Sequence, residues 1–221
     1  TMSILAANKC NINMKNILNS IKKIKPVPGR LEKISNLHNN SIVILDYAHT
    51  PDALKVCLVN LRDQFPLKKI NLVFGCGGER DIPKRKIMGR IANTFCEKVY
   101  LTDDNPRKES PKKIRNQIKV QINRKKLNEI SSRKIAIKTA IKNIKSDEIV
   151  VVAGKGHERF QEYKKKKYFS DRDCILKSIK EKNLSLNKDW KVNILEEKIE
   201  NKLNNKIYIN KACINSKEVK K

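Results

Sequence analysis

Apolar positions recur every three or four residues over residues 14–24 (MKNILNSIKKI), the period of an amphipathic helix. The pattern stops at Pro26-Val27-Pro28-Gly29, a rigid breaker that reads as an interdomain linker. Beyond it, short apolar runs take turns with helical periodicity. Residues 41–46 (SIVILD), 70–75 (INLVFG), 98–102 (KVYLT) and 148–153 (EIVVVA) read as strands. Residues 51–64, 84–95, 111–125, 136–144 and 171–181 read as helices, the first opened by Thr50-Pro51-Asp52. Apolar strands alternating with amphipathic helices predict an α/β fold. The expected form is a Rossmann-like, mostly parallel sheet with helices on both faces, plus a short C-terminal extension.

Sheets of this kind bind ligands at the carboxyl ends of their strands. The segments that follow the four runs are therefore the informative ones, and each is polar and carries Gly or Pro. They are Asp46-Tyr47-Ala48-His49-Thr50-Pro51, Gly75-Cys76-Gly77-Gly78-Glu79-Arg80-Asp81, Asp103-Asp104-Asn105-Pro106-Arg107 and Gly154-Lys155-Gly156-His157-Glu158. Gly75, Gly77 and Gly78 let backbone approach a ligand and present N–H groups at a helix start, although a tight turn needs the same residues. Arg80 and Arg107 each suit a bidentate grip on a carboxylate, with a surface ion pair as the alternative. Asn105 offers a donor and an acceptor, Glu158 an acceptor for an ammonium group, and Gly154 leaves room beside it. Two cations, an anion and an amide fit a ligand with more than one carboxylate and at least one amine. Asp46 and His49 lie nearer the linker, where a nucleotide ribose or a neighbouring domain would meet them. His49 fits equally well as a residue satisfying backbone groups at a helix start, and His157 as a structural one.

Composition changes this picture little. The chain has 221 residues, enough for one domain with a tail, and its 39% hydrophobic content supports a lean core. Its net charge of +27 invites a nucleic-acid reading, but the lysines are spread evenly among Ile and Asn, as A/T-rich codons dictate. No basic recognition helix or aromatic-studded basic strand accompanies them, so nucleic acid is set aside. The six cysteines form no C-x-x-C pair, and with three histidines they give no metal-ligand spacing. No secretory signal and no membrane-spanning apolar run is present, which points to a soluble, cytoplasmic protein with reduced thiols. A Walker-type phosphate loop is missing, as is any Ser-His-Asp order or carboxylate pair for hydrolysis.

The four loop motifs, in this order, resemble the C-terminal domain of the MurE ligase family, the UDP-N-acetylmuramoyl-tripeptide synthetases. The likeness runs from about residue 14 to 181, and Pro28-Gly29-Arg30-Leu31-Glu32 resembles the family's junction between its central ATP-binding domain and this one. The resemblance implies an ATP-dependent amide-bond ligase of peptidoglycan synthesis. In that family ATP, with Mg2+, phosphorylates the D-glutamate side-chain carboxylate of a UDP-MurNAc-dipeptide, and the amine of the third amino acid attacks the acyl phosphate. By position, Arg80, Asn105, Arg107, Gly154 and Glu158 would hold that amino acid, with Asp104 and Pro106 completing the recognition motif. Arg30 and Asp46 match positions that reach ATP across the domain junction, with Tyr47 and His49 as further nucleotide-side candidates. Arginine at 107 marks members that use meso-diaminopimelate, since its second carboxylate gives a guanidinium something to grip and lysine has none. A lysine-adding relative and a stand-alone amino-acid- or nucleotide-binding module are the alternatives.

The resemblance also implies a division of the chain. Residues 1–25 would end the central domain, 26–183 would be the amino-acid-binding domain, and 184–221 would be a linker. The UDP-binding domain, the phosphate loop and the modified lysine of the central domain are not in this sequence. No ATP or Mg2+ site and no catalysis are therefore expected of this piece alone, and the UDP-MurNAc-dipeptide would be met by the missing domains. In the tail, residues 189–203 suggest a helix and 206–209 a strand. Ile207-Tyr208-Ile209 through Ser216-Lys217-Glu218-Val219 resembles the opening of a MurF-type ligase, so a fused pair of ligases is expected, with a Lys/Asn-rich disordered tail as the alternative.

Overall fold

The computed structural model describes residues 2–23, 27–37 and 39–186. The helix and strand expected at 189–203 and 206–209, with the MurF-like motif, lie outside the described residues, as does Pro26 of the linker.

Two short helices, α1 (Met2–Lys9) and α2 (Met14–Ile21), precede the main body, and α2 begins where Asn13 accepts a hydrogen bond from the Lys15 backbone N–H. Then follow β1 (Glu32–Asn36), β2 (Ile42–Asp46), α3 (Pro51–Gln64), β3 (Lys69–Phe74), α4 (Pro83–Phe95) and β4 (Lys98–Leu101). The chain continues with α5 (Pro111–Lys119), β5 (Leu127–Glu129), α6 (Arg133–Lys142), β6 (Glu148–Ala153), β7 (Phe160–Glu162) and β8 (Lys166–Tyr168). A last helix, α7, spans residues 171–186. Each of α3, α5 and α6 opens on a Thr or Ser whose side chain accepts from the N–H three residues on, and α3 and α5 have proline at their start.

The main sheet has the order β1-β2-β6-β3-β4-β5. β2, β6, β3, β4 and β5 run parallel, and β1 is antiparallel at the edge. The unbroken apolar runs work because both faces are covered. In β2, Ile42 and Ile44 face a core with Leu54 and Leu58 of α3, Met88 of α4 and Ile118 of α5. Val43 and Leu45 face the opposite core, with Ile137 and Ile141 of α6 and Ile175 of α7. The period-two alternation thus feeds two apolar layers, as a doubly covered parallel sheet requires.

The four strands and the helices stand where the periodicity puts them, with shifts at some ends. α5 stops at Lys119 rather than 125, because Asn123 organises a turn there. Its backbone N–H donates to Asn93, and its own side chain and carbonyl accept from Lys125 and Lys126. α6 starts at Arg133 instead of 136, since Ser132 caps it. β1, β5 and the β7–β8 hairpin have no apolar run to announce them. They are short and lie at the rim, where polar residues are tolerated. Among the described residues no helix is long and apolar enough to cross a membrane.

Candidate functional site

The parallel strands β2, β6, β3 and β4 are neighbours, so the loops after them emerge side by side at one rim of the sheet. They enclose a cavity of ≈ 720 Å³. Arg80, Asp104, Asn105, Arg107, Gly154 and Glu158 line it, and Tyr47 and His49 form its flank toward β2. Pro106 is not in the wall. Its carbonyl accepts from the Glu109 N–H and lies against Gly78, where a Cβ would collide with it. That close approach requires glycine and brings the loop after β3 onto the loop after β4. The Gly78 N–H donates to the Asn105 carbonyl at 2.9 Å.

Asn105 and Glu158 meet over the cavity. The Asn105 Nδ2 donates to Glu158 Oε2 at 3.2 Å, and the Tyr47 hydroxyl donates to Glu158 Oε1 at 3.4 Å. Beneath them, fully buried Lys155 donates to Glu158 Oε2 at 2.9 Å and to Asn105 Oδ1 at 3.0 Å. Burial pushes the Glu158 carboxyl up, but the Lys155 ammonium and the hydrogen bonds from Asn105 and Tyr47 outweigh it. Glu158 is held below the ordinary carboxylate range.

The two arginines differ. Arg80 is exposed and has no ion-pair partner among the described residues. Arg107 is anchored: Nη1 donates to the Gly78 carbonyl at 2.6 Å, and Nε lies 3.4 Å from Glu162 Oε2. Its backbone has φ 54, a left-handed conformation held by the Arg107 N–H donating to the Glu162 carbonyl at 2.9 Å. Among the described residues no hydrogen bond or ion pair engages Arg107 Nη2.

Asp104 is buried, with Oδ1 accepting from the Asn105 N–H at 2.7 Å and Oδ2 without a hydrogen-bond partner. Arg133 Nη1, equally unpartnered, lies 3.8 Å from that oxygen. Burial raises the Asp104 carboxyl above its usual range, and the Arg133 charge counters only part of this. A Cβ on Gly154, which has φ +113, would come to 3.0 Å from Asp104 Oδ2, so the residue there must be small and left-handed.

Toward β1 the environment is different. The Arg30 guanidinium lies 4.5 Å over the Tyr47 ring, His49 packs edge-on to that ring at 4.8 Å, and His157 stacks on it at 5.4 Å. A planar cationic and aromatic surface of this kind suits a nucleobase or ribose. Asp46 does not face it: Oδ2 accepts from the Leu31 N–H at 2.7 Å and Oδ1 from the Ala48 N–H at 2.8 Å. It ties the segment after Gly29 to the end of β2. Among the described residues no group of three or more His, Cys, Asp or Glu is placed to hold a metal ion.

Several contributors escaped the sequence reading. Lys155 is one of them, and its signal in the sequence is a lysine between two glycines directly after a buried strand. Asp52, Asp81 and Lys84 line the cavity from the starts of α3 and α4. Gln161 and Glu162 pin residues 103–107 from the β7–β8 hairpin, whose Lys-rich sequence gives no hint of it.

The profile of the family "Mur ligase, glutamate ligase domain" matches residues 29–156. The chain is 45% identical over 163 residues to a UDP-N-acetylmuramoyl-L-alanyl-D-glutamate--2,6-diaminopimelate ligase of Rickettsia typhi, covering 73% of this chain and 32% of that protein. The enzyme of the same name from Rickettsia bellii is 46% identical over 146 residues, 66% of this chain and 30% of that one. A solved structure of a ligase with this name superposes with a TM-score of 0.65 at 34% identity, covering 80% of this chain and 36% of that chain. The chain thus spans about a third of the length of the curated relatives it matches.

Proposed function

The chain belongs to the Mur ligase family, and on that premise we propose that its cavity receives meso-diaminopimelate for an ATP-dependent ligase that adds it to UDP-MurNAc-L-Ala-D-Glu. The family match at residues 29–156 takes in the loops after β2, β3 and β4 and the first residues of the loop after β6. The observation that carries the reading is the sharing of one cavity by Arg80, Arg107, Asn105 and Glu158. One amino-acid end of diaminopimelate places its ammonium on Glu158 and its carboxylate on Asn105 and Arg107. Exposed Arg80 supplies a second cation for the other carboxylate. Lysine held by its side-chain ammonium on Glu158 has no carboxylate at that end, so the Arg107 guanidinium would be left without an anion.

The work of this domain is orientation. Holding the diamine fixes its other amine for attack on an acyl phosphate; the C–N bond forms as phosphate departs with the bridging oxygen, and the amine proton is released. ATP and Mg2+ supply the activation of the carboxylate when bound. The residues of this chain that fit the nucleotide are Arg30, Tyr47 and His49, with Asp46 holding the backbone that carries them. Residues 26–183 form the amino-acid-binding domain in this reading, and the dipeptide substrate is met by other parts of the longer ligase.

A titration of the 15N-labelled chain with meso-diaminopimelate and with L-lysine, followed by NMR, tests the reading. Diaminopimelate should shift the signals of Asn105, Arg107 and Glu158 and bind more tightly than lysine. Equal or tighter binding of lysine would overturn it.

A further inference from the structure

We propose that Lys155 is a positioning residue that sets the polarity of the ligand site, making Asn105 a donor-only contact and Glu158 an acceptor-only one. This deepens the diaminopimelate reading and rests on it for the identity of the ligand. Lys155 does not line the cavity and is fully buried. Its ammonium has three donors, and three acceptors receive them: Asn105 Oδ1 at 3.0 Å, Glu158 Oε2 at 2.9 Å and the Phe160 carbonyl at 2.5 Å.

An asparagine amide presents a donor on one side and an acceptor on the other, so a half-turn exchanges its meaning to a ligand. Here the half-turn is blocked. Asn105 Oδ1 accepts from Lys155 and also from the Glu162 N–H at 2.9 Å. Flipping the amide would set its NH2 against an ammonium and a backbone N–H, with no acceptor among the three. The Nδ2 side is therefore directed at Glu158 Oε2, and its second hydrogen is left for an oxygen of the ligand.

The same ammonium fixes Glu158. Oε2 is taken by Lys155 and Asn105, while among the described residues Oε1 has only the long hydrogen bond from Tyr47 at 3.4 Å. A ligand ammonium competes for that oxygen at little loss. The lysine charge also keeps Glu158 ionised despite its partial burial. Gly154 and Gly156, with φ +113 and +50, let the chain turn on both sides of Lys155 so that its stem passes under the loop. A zwitterionic amino-acid end then fits in one sense alone, carboxylate to Asn105 and ammonium to Glu158.

Lys155→Met keeps the stem and removes the charge, and the full chain is the material to use. Expected are an upward move of the Glu158 titration midpoint, followed by 13C NMR, and a change in the Asn105 side-chain amide signal. Affinity for diaminopimelate should fall roughly tenfold or more, as loss of charge-assisted hydrogen bonding implies. Unchanged Glu158 titration in this variant overturns the proposal, whatever the ligand does. If the wild-type chain binds no diaminopimelate, the diaminopimelate reading falls, and the ligand-free titration still decides the role of Lys155. Should Lys155→Met not fold, wild type and Glu158→Gln serve instead. The Lys155 ammonium protons should exchange slowly in wild type and shift in Glu158→Gln; exchange as fast as that of surface lysines overturns the proposal.

Discussion

Arg133 grips both oxygens of Asp171, Nε at 2.8 Å from Oδ1 and Nη2 at 2.7 Å from Oδ2, with neither side chain reached by solvent. The pair ties the start of α6 to the start of α7. Arg133 Nη2 also donates to the Ala153 carbonyl at 2.9 Å, at the end of β6. The floor beneath the ligand loops is thus a charge pair held between two helices and a strand. Removing one partner strands the other charge in the interior. Asp171→Ala should lower unfolding free energy by about 3–5 kcal/mol in urea denaturation; a loss under about 1 kcal/mol would mean that the pair is replaceable by water.

Asp104 should make stability depend on pH. Burial raises its carboxyl above the ordinary range, so the folded state binds this proton more tightly than the unfolded chain does. Its contribution is full below the ordinary Asp value and is lost as pH rises through the raised, folded value. Asp104→Asn cannot ionise and escapes that loss. Relative to wild type, the variant should gain stability as pH rises from the ordinary Asp value through the raised, folded one. Parallel curves across that range, measured by thermal unfolding, would contradict this.

Gly78→Ala tests how the loops after β3 and β4 are joined. Its Cβ, fixed rigidly to the backbone, would overlap the Pro106 backbone carbonyl, so one loop must give way. A cost of about 1–3 kcal/mol is expected, with NMR shifts concentrated at residues 104–107. Shifts confined to residues 76–80 would show that the two loops move independently.

Arg107→Ala should weaken binding of diaminopimelate about tenfold to a hundredfold, the worth of a charge-assisted contact, while changing lysine binding little. The measurement is calorimetric or NMR titration with both ligands. A similar loss for both would assign Arg107 to loop structure, through its bonds to Gly78 and Glu162.

The thiols should separate by burial. Burial pushes Cys76 and Cys96 up to about 12, and Cys57 is raised too, chiefly by the same desolvation. Cys10 is exposed. Brief alkylation of the native chain at neutral pH should therefore label Cys10 and spare Cys57, Cys76 and Cys96 until denaturant is added, as peptide mass spectrometry would show. Early labelling of Cys76 would mean that the cavity wall opens.

The layered α/β frame and the four loops follow from the pattern along the chain alone. Runs such as Ile42–Asp46 and Glu148–Ala153 are apolar at every step or nearly so, and such strands are stable only when covered on both faces. Strand ends with Gly, Pro and paired charges mark where that pattern breaks, so Arg80, Asn105, Arg107 and Glu158 were legible as candidates. Tertiary structure decided what each of them does. Strand order brings β6 between β2 and β3, which sets Lys155 under Asn105 and Glu158, fifty and three residues away along the chain. It also turns Asp46 inward onto two backbone N–H groups and assigns Gln161 and Glu162, from an unannounced hairpin, to hold residues 103–107. Periodicity reports how each segment meets solvent. The direction of an amide or the partner of a buried ammonium depends on segments far apart in sequence, and only their packing fixes it.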